Sequence, residues 1–276
     1  MPLYFLIILA LIQGVTEFLP ISSSGHLLLA HAALDPEGTA NLFKQNLLID
    51  VAVHVGTLFS VLVYFRRDVG TMLRGALDAI SGQRKTEGAR LNLHILISSL
   101  PVIAAGFTMN KLGIYWGHAV ELVAWTTLIF GILLWVVDAI KPATKTLKDM
   151  NALHALLIGA AQAIALIPGT SRSGITMTAA RALGYTRTEA AHYSLLIAII
   201  AIGGAGTLSA FNLIEMGDVS FTLNALIAMA LAFISGLVAI ALMMKWLEKA
   251  SFKIFAIYRI ILGVGLLAFI YSGGAL

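Results

Sequence analysis

Two polar clusters interrupt otherwise apolar stretches of the sequence, and the first contains a candidate acid or base. It reads QGVTEFLPISSSGH over residues 13–26. Gln13 and Glu17 are four residues apart, so a helix would place them on one face. An ionisable group inside an apolar segment is costly and usually faces a functional cavity, which makes Glu17 a candidate catalytic residue. The structural alternative is that Glu17 caps a helix or pairs with an arginine. The serine cluster and His26 that follow it favour a functional role.

The second cluster has the form of an anion site. It reads PGTSRSGIT over residues 168–176 and opens directly into an apolar helical pattern. Gly174 would let the backbone approach an anion closely, and a helix N-terminus offers free N–H groups. Arg172 adds a planar fork that matches phosphate oxygens. In the alternative, the serines merely start the helix and Arg172 extends to lipid headgroups.

The composition excludes a soluble fold. The chain has 276 residues, of which 59% are hydrophobic and 12% are charged, whereas soluble chains average about 25% charged residues. There is no cysteine, which excludes disulfides, zinc–thiolate sites and a thiol nucleophile. The net charge of +4 is modest and the basic residues are dispersed, so nucleic-acid binding has no support and the lipid bilayer is the natural partner.

The apolar runs predict an all-α, polytopic membrane bundle. Two stretches, Leu3–Leu34 and Leu153–Leu183, are broken by Pro20 and by Pro168-Gly169. Because irregular backbone at membrane depth must be satisfied by protein or a cavity, we interpret both as re-entrant helical hairpins. About six further runs are long enough to cross the hydrocarbon: Leu47–Phe65, Leu91–Met109, Leu122–Val137, Ala190–Phe211, Phe221–Met244 and Phe255–Ile270.

The two hairpins indicate an inverted repeat within a single membrane domain, 1–276, with halves of residues 1–140 and 150–276. Gln13-(x11)-Gly25 matches Gln162-(x11)-Gly174. Basic residues concentrate in alternate connections, which are therefore cytoplasmic: Arg66, Arg67, Arg74, Arg84, Lys85, Arg90, Lys141, Lys145, Lys148, Arg181, Arg187, Lys245, Lys249 and Lys253. The opposite connections hold only Lys44 and Lys111 beside acidic residues that include Asp35, Glu37 and Asp218. The first hairpin would then enter from the outer face and the second from the inner face, so that their tips meet.

QGVTEFLPISSSGH and PGTSRSG together resemble the two signature regions of the bacterial undecaprenyl-diphosphate phosphatase family, which is also known for bacitracin resistance. The resemblance covers nearly the whole chain in length and hydropathy. It implies hydrolysis of undecaprenyl diphosphate to undecaprenyl phosphate and inorganic phosphate, which recycles the lipid carrier for peptidoglycan precursors. It also implies the bacterial inner membrane as the location. From the topology, we expect the site to open to the outer face.

The family's first region is an (E/Q)-x-x-x-E motif, and the resemblance places Gln13 at its variable first position and Glu17 at its acidic one. The glutamine keeps an oxygen ligand but brings one fewer negative charge. The predicted catalytic residues are Glu17, Ser23, His26 and Arg172. Gln13 and Glu17 are the predicted metal ligands. The predicted phosphate-binding residues are Ser22, Ser24, Gly25, Ser171, Arg172, Ser173, Gly174 and Thr176.

Physical chemistry supports these roles independently. Cleaving a diphosphate needs neutralised negative charge, an aimed nucleophile and a proton acceptor nearby. A divalent cation, Mg²⁺ or Ca²⁺, on Glu17 and Gln13 would suit oxygen ligands. His26, one helical turn past Ser22 or Ser23, would activate a serine hydroxyl or a water, and Ser23 is the favoured nucleophile.

Two other functions remain open on the sequence alone. An inverted repeat also suits a transporter or flippase of a phosphorylated polyprenyl lipid. Ser24-Gly25-His26 is similar to an element of the acid-phosphatase-like lipid phosphatases, but the other motifs of that superfamily are not evident. The sequence does not fix the oligomeric state, and a homodimer is compatible with it.

Overall fold

The computed structural model describes residues 3–34, 40–114, 120–215 and 223–273, and all the regular elements in these ranges are helices. The described ranges do not include Asp35, Glu37, Asp218 or the first two residues of the predicted Phe221–Met244 span. The helices are α1 (Leu3–Thr16), α2 (Ser23–Leu34), α3 (Ala40–Tyr64), α4 (Arg66–Ile80), α5 (Glu87–Lys111), α6 (Val120–Ile140), α7 (Ala152–Ile164), α8 (Arg172–Ala182), α9 (Arg187–Glu215), α10 (Leu223–Leu247) and α11 (Lys253–Tyr271).

The predicted polytopic helical membrane bundle is confirmed. Within the described ranges, α5, α6, α10 and α11 are each long and apolar enough to cross a membrane. A fifth crossing results if Ile49–Tyr64 of α3 and the adjoining α4, which meet at 86°, count as one broken span. The remaining predicted span, Ala190–Phe211, lies inside the 29-residue helix α9. The count of six spans stays a prediction.

The basic segment that follows the first predicted span is a helix rather than the loop that the sequence suggested. Arg66, Arg67 and Arg74 all lie in α4, whose apolar side chains Leu73 and Leu77 are exposed. The helix is tied to its neighbours by polar contacts. Nδ2 of Asn92 on α5 donates to the Met72 carbonyl at 2.7 Å, and Nε2 of His192 on α9 lies 3.1 Å from Oδ1 of Asp68. Charge placement alone did not reveal this helix.

Both predicted breaks are present, between α1 and α2 and between α7 and α8, and they share one local geometry. Ser22 and Ser171 have positive φ angles of 76° and 69°. In each break the serine Oγ accepts a hydrogen bond from the glycine amide three residues later, at 3.3 Å from Gly25 and 3.1 Å from Gly174. A serine capping the next helix satisfies an N–H that would otherwise be unpaired at membrane depth.

Each hairpin packs against a helix of the opposite half of the chain: α1 against α10, and α7 against α5. Glycines make these approaches close. A Cβ at Gly159 would lie 2.4 Å from the Ser98 carbonyl oxygen on α5, and one at Gly14 would lie 2.8 Å from the Ala232 carbonyl oxygen on α10. The two tips are therefore held inside the bundle. The opposite orientation of the two halves across a membrane stays a prediction.

A buried ionic cluster anchors the far end of α8. Asp138 on α6 accepts hydrogen bonds from Nε of Arg181 at 2.8 Å, from Nε of Arg187 at 2.9 Å and from the Phe252 amide at 3.1 Å. Arg181 is fully buried and also donates to backbone carbonyls. It is therefore a structural cation rather than a free charge in a connection. The cluster fixes the helix whose first residue is Arg172.

Candidate active site

Glu17 is the centre of the site, and it contacts three other residues that the sequence singled out. Its Oε2 accepts hydrogen bonds from Nε2 of Gln13 at 2.9 Å and from Oγ of Ser23 at 2.7 Å. Its Oε1 accepts one from Nη2 of Arg172 at 3.0 Å. Gln13 lies one turn earlier on α1, Ser23 begins α2, and Arg172 begins α8. The two hairpin tips thus meet at a single carboxylate.

Arg172 is paired with Glu17 but is not saturated by it. Its Nη1 donates weakly to the Ser194 carbonyl at 3.4 Å, and its side chain keeps 15% exposure against 7% for Glu17. A guanidinium has five N–H donors. These two contacts leave donors free for phosphate oxygens. The ion pair therefore has a structural role, because it positions Arg172. It is also compatible with a functional role, because Arg172 can still bind an anion.

The three adjacent serines have different roles. The Ser23 hydroxyl donates to Glu17, which is the arrangement of a nucleophile beside its base. Ser22 is buried, its Oγ accepts the Gly25 amide, and it lies 3.4 Å from Oγ of Ser24. Ser24 is exposed. Ser22 therefore shapes the tip, while Ser23 alone of the three contacts the carboxylate in the described structure.

The hydroxyls of the second tip are largely used by the protein itself. The Oγ atoms of Ser171 and Ser173 lie 3.2 Å apart, and Ser173 donates to the Leu19 carbonyl of the first tip at 2.9 Å. Thr176 is fully buried, donates to the Arg172 carbonyl at 2.8 Å and lies 2.7 Å from Oγ of Ser194. Phosphate binding by these hydroxyls stays a prediction. Their evident role is to hold the start of α8.

His26 does not contact a serine hydroxyl in the described structure. Nδ1 lies 2.6 Å from the Ser22 carbonyl, and Nε2 lies 2.5 Å from the Tyr258 hydroxyl. The Tyr258 ring also stacks on the imidazole, with centroids 5.6 Å apart. The carboxylate of Glu17, rather than His26, is therefore placed to accept the Ser23 proton. Sequence spacing alone had favoured the histidine.

Arg259 is the main site residue that the sequence interpretation did not include. It is fully buried between the two tips. Its nitrogens lie 2.9–3.4 Å from five backbone carbonyls, which belong to Pro20, Thr126, Thr127, Gly169 and Thr170. The available signal was an arginine well inside an apolar helix, where an ionisable group usually faces a cavity or a partner.

The oxygen donors fit a cation that is shared with a substrate rather than one enclosed by protein. Among the described residues, no group of three or more His, Asp or Glu side chains could hold a metal. Glu17 supplies one carboxylate, and Oε1 of Gln13 is buried without a hydrogen-bond partner in the described structure. Mg²⁺ is commonly held by one or two carboxylates together with substrate phosphates and water. Gln13 and Glu17 suit that arrangement.

Comparison with known proteins places the chain in one family. The bacitracin resistance protein BacA family matches residues 6–265. The chain is 44% identical over 273 residues to an undecaprenyl-diphosphatase of Ruegeria pomeroyi, covering 99% of this chain and 100% of the relative. It is 42% identical to undecaprenyl-diphosphatase 1 of Rhodospirillum rubrum, covering 97% and 95%. It is 41% identical to an undecaprenyl-diphosphatase of Teredinibacter turnerae, covering 96% and 98%.

Proposed function

Because this chain belongs to the bacitracin resistance protein BacA family, we propose that it hydrolyses undecaprenyl diphosphate to undecaprenyl phosphate and inorganic phosphate. The observation that carries the proposal is the contact of Ser23 and Arg172 with the two oxygens of one buried carboxylate, Glu17. A nucleophile, a base and an anion-binding cation meet there at the tips of two membrane hairpins. The activity recycles the lipid carrier for cell-wall precursors and accounts for bacitracin resistance.

In the first step, Oγ of Ser23 attacks the terminal phosphorus and its proton passes to Oε2 of Glu17, 2.7 Å away. The bond from phosphorus to the bridging oxygen breaks, and undecaprenyl phosphate leaves with that electron pair. In the second step, water attacks the phosphoserine, and Glu17 returns its proton to the Ser23 oxygen as inorganic phosphate departs. His26 would take the proton of the attacking water and pass it to the departing inorganic phosphate, which leaves the histidine neutral for the next cycle.

Arg172 and the amides at the start of α8 would hold the terminal phosphate. Charge on the phosphoryl oxygens must be neutralised while the attacking and leaving oxygens exchange places. Preorganised donors in a site that excludes water do this without reorganisation during the reaction. Glu17 and the Ser194 carbonyl fix the guanidinium beforehand, and Arg259 fixes the two tips relative to each other.

A divalent cation, Mg²⁺ or Ca²⁺, would be held by Glu17 and Gln13. When bound, it would neutralise charge on the phosphate oxygens. The terminal phosphorus would then be more electrophilic, and undecaprenyl phosphate would be a better leaving group. The unpartnered Oε1 of Gln13 supports this assignment because a buried oxygen without a donor is costly unless something pairs with it.

The proposed location is the bacterial inner membrane, with the site reached from the outer face. The basic residues of alternate connections support this orientation. The diphosphate headgroup would enter the polar site while the tail stays in the bilayer. A homodimer is compatible with the single-chain site, since every contact described above comes from one chain.

Phosphate release tests the proposal. Purified protein in detergent, supplied with a C55 isoprenyl diphosphate, should release inorganic phosphate, and EDTA should stop the release. Glu17→Gln serves as the inactive control, and Glu121→Gln, an exposed carboxylate in the first turn of α6, serves as the matched active control. No release by the wild-type protein, together with movement of the lipid between vesicle leaflets, would instead support a transporter.

A further inference from the structure

Tyr258 lies on the lipid-facing stripe of α11. In the first three turns of this helix, the exposed large apolar residues are spaced three and four apart: Ile254, Ile257, Tyr258, Ile261 and Val264. Its buried residues, Ala256, Arg259, Gly263 and Leu267, form the opposite face. Tyr258 is 42% exposed, and the other four of these residues are aliphatic. A phenol hydroxyl on this apolar stripe needs a hydrogen-bond partner, and that partner is a residue of the candidate active site.

That partner is His26, on α2. These two helices do not pack along their length in the described structure; the hydrogen bond and ring stack between His26 and Tyr258 bridge them. His26 lies one turn after Ser23, which donates to Glu17. The pair therefore stands between the carboxylate site and the hydrocarbon.

Both ring nitrogens of His26 are occupied, Nδ1 by the Ser22 carbonyl and Nε2 by the Tyr258 hydroxyl. The Ser22 carbonyl can only accept, so Nδ1 carries a proton, and in the neutral ring Nε2 is then the acceptor. Tyr258 donates to Nε2. While the pair is intact, His26 has no lone pair available for water or substrate.

We propose that the gap between α2 and α11 is the lateral opening through which the polyprenyl tail of the diphosphate leaves the site, and that the entering substrate displaces Tyr258 from His26. The inference rests on the proposed function. A tail drawn into water would cost about 0.8 kcal/mol per CH₂, so it must pass from the site directly into lipid. Opening this gap would free Nε2 of His26 for as long as the lipid substrate, or the undecaprenyl phosphate released from it, occupies the opening.

Crosslinking tests the route of the tail. The chain has no cysteine, so a benzophenone maleimide can be attached at one introduced cysteine. The test variant is Ile261→Cys, next to the opening. The control is Val238→Cys, which is exposed on α10 at a similar distance from the α10–α11 connection. Irradiation with a C55 isoprenyl monophosphate should attach the lipid at position 261, and excess inorganic diphosphate should reduce the yield. Equal attachment at both positions, or no competition, would mean that position 261 contacts only bulk lipid and would overturn the proposal.

Kinetics test the displacement of Tyr258. Tyr258→Phe keeps the ring stack and removes the hydrogen bond, so KM for the C55 diphosphate should fall by about 2- to 10-fold, the equivalent of one neutral hydrogen bond. Ile261→Trp should raise KM for the C55 substrate but not for a five-carbon isoprenyl diphosphate, whereas Val238→Trp should change neither. An unchanged KM in Tyr258→Phe, or a large loss of kcat, would contradict a displaceable contact.

The two hypotheses fail differently. If the wild-type protein releases no phosphate, the proposed function fails. If it is active but position 261 is not crosslinked and Ile261→Trp treats long and short substrates alike, only the lateral opening fails.

Discussion

Glu17 and Arg172 are 155 residues apart in the chain, yet Nη2 of Arg172 lies 3.0 Å from Oε1 of Glu17. This contact joins the two hairpins at the point where a phosphate would bind. Substitution of either residue therefore changes both the charge balance and the geometry of the site.

Arg172→Lys should lose activity by about 100-fold, the usual loss when one preorganised donor is removed. An ammonium keeps the charge, but it cannot hold Glu17, the Ser194 carbonyl and a phosphate from one planar group. Phosphate release at saturating substrate measures the effect, and Arg84→Lys, exposed beyond α4, is the matched control. A folded Arg172→Lys variant with normal turnover would show that Arg172 acts only as a point charge.

Glu17→Gln should abolish hydrolysis and the effect of added divalent cation together, because the same carboxylate serves Ser23 and the proposed metal. Gln13→Glu should retain activity when the cation is saturating. It replaces a donor to Glu17 with a second carboxylate, so its activity should depend more steeply on cation concentration. Titration with Mg²⁺ distinguishes the two variants. Full activity of Glu17→Gln without added metal would remove Glu17 from both roles.

Ser23→Ala should be inactive, whereas Ser24→Ala should keep most of its activity, because only Ser23 donates to Glu17. Brief reaction with substrate labelled in its terminal phosphate, followed by acid quench, should trap label on the wild-type and Ser24→Ala proteins. If Ser23→Ala still turns over, water attacks phosphorus directly and Glu17 activates that water instead.

Arg259→Met should destabilise the protein, since it removes the arginine donors from the Pro20 and Thr170 carbonyls of the two tips, and an unpaired buried carbonyl costs about 1–3 kcal/mol. Arg259→Lys should be intermediate because one ammonium reaches fewer of these carbonyls. Thermal unfolding in detergent measures the loss, and Arg74→Met, on the exposed surface of α4, is the control. Stability equal to wild type in Arg259→Met would mean that water satisfies the tips.

The orientation of the site can be read from the two ends of one helix. Gln83→Cys lies just before α5, and Asn110→Cys lies near its end; both native side chains are exposed. In intact cells, a membrane-impermeant maleimide should label Asn110→Cys and spare Gln83→Cys. The reverse pattern would place the basic connection outside and contradict access from the outer face.

The sequence by itself determined the class of fold and the location of both tips. Hydropathy over about 20 residues reports directly on membrane crossing. Pro20 and Pro168-Gly169, each beside hydroxyl residues, mark where a helix must break and be capped. The Gln13 and Gln162 repeats then predict that the two breaks are alike, and Ser22 and Ser171 share a positive φ and the same cap. These features are local, so neighbouring residues are sufficient to specify them.

Only the tertiary structure decided which side chains act on one another. His26 and Glu17 are both near Ser23 in sequence. In the structure, the direction of α2 lets Ser23 donate a hydrogen bond to Glu17, and it places His26 against Tyr258, 232 residues away. Arg259 reaches the Pro20 carbonyl across 239 residues. α4 is held by contacts from α5 and α9 rather than by its own hydropathy. Hydrogen bonds depend on angles and on distances of about 3 Å, and these are set by how the helices pack rather than by spacing along the chain.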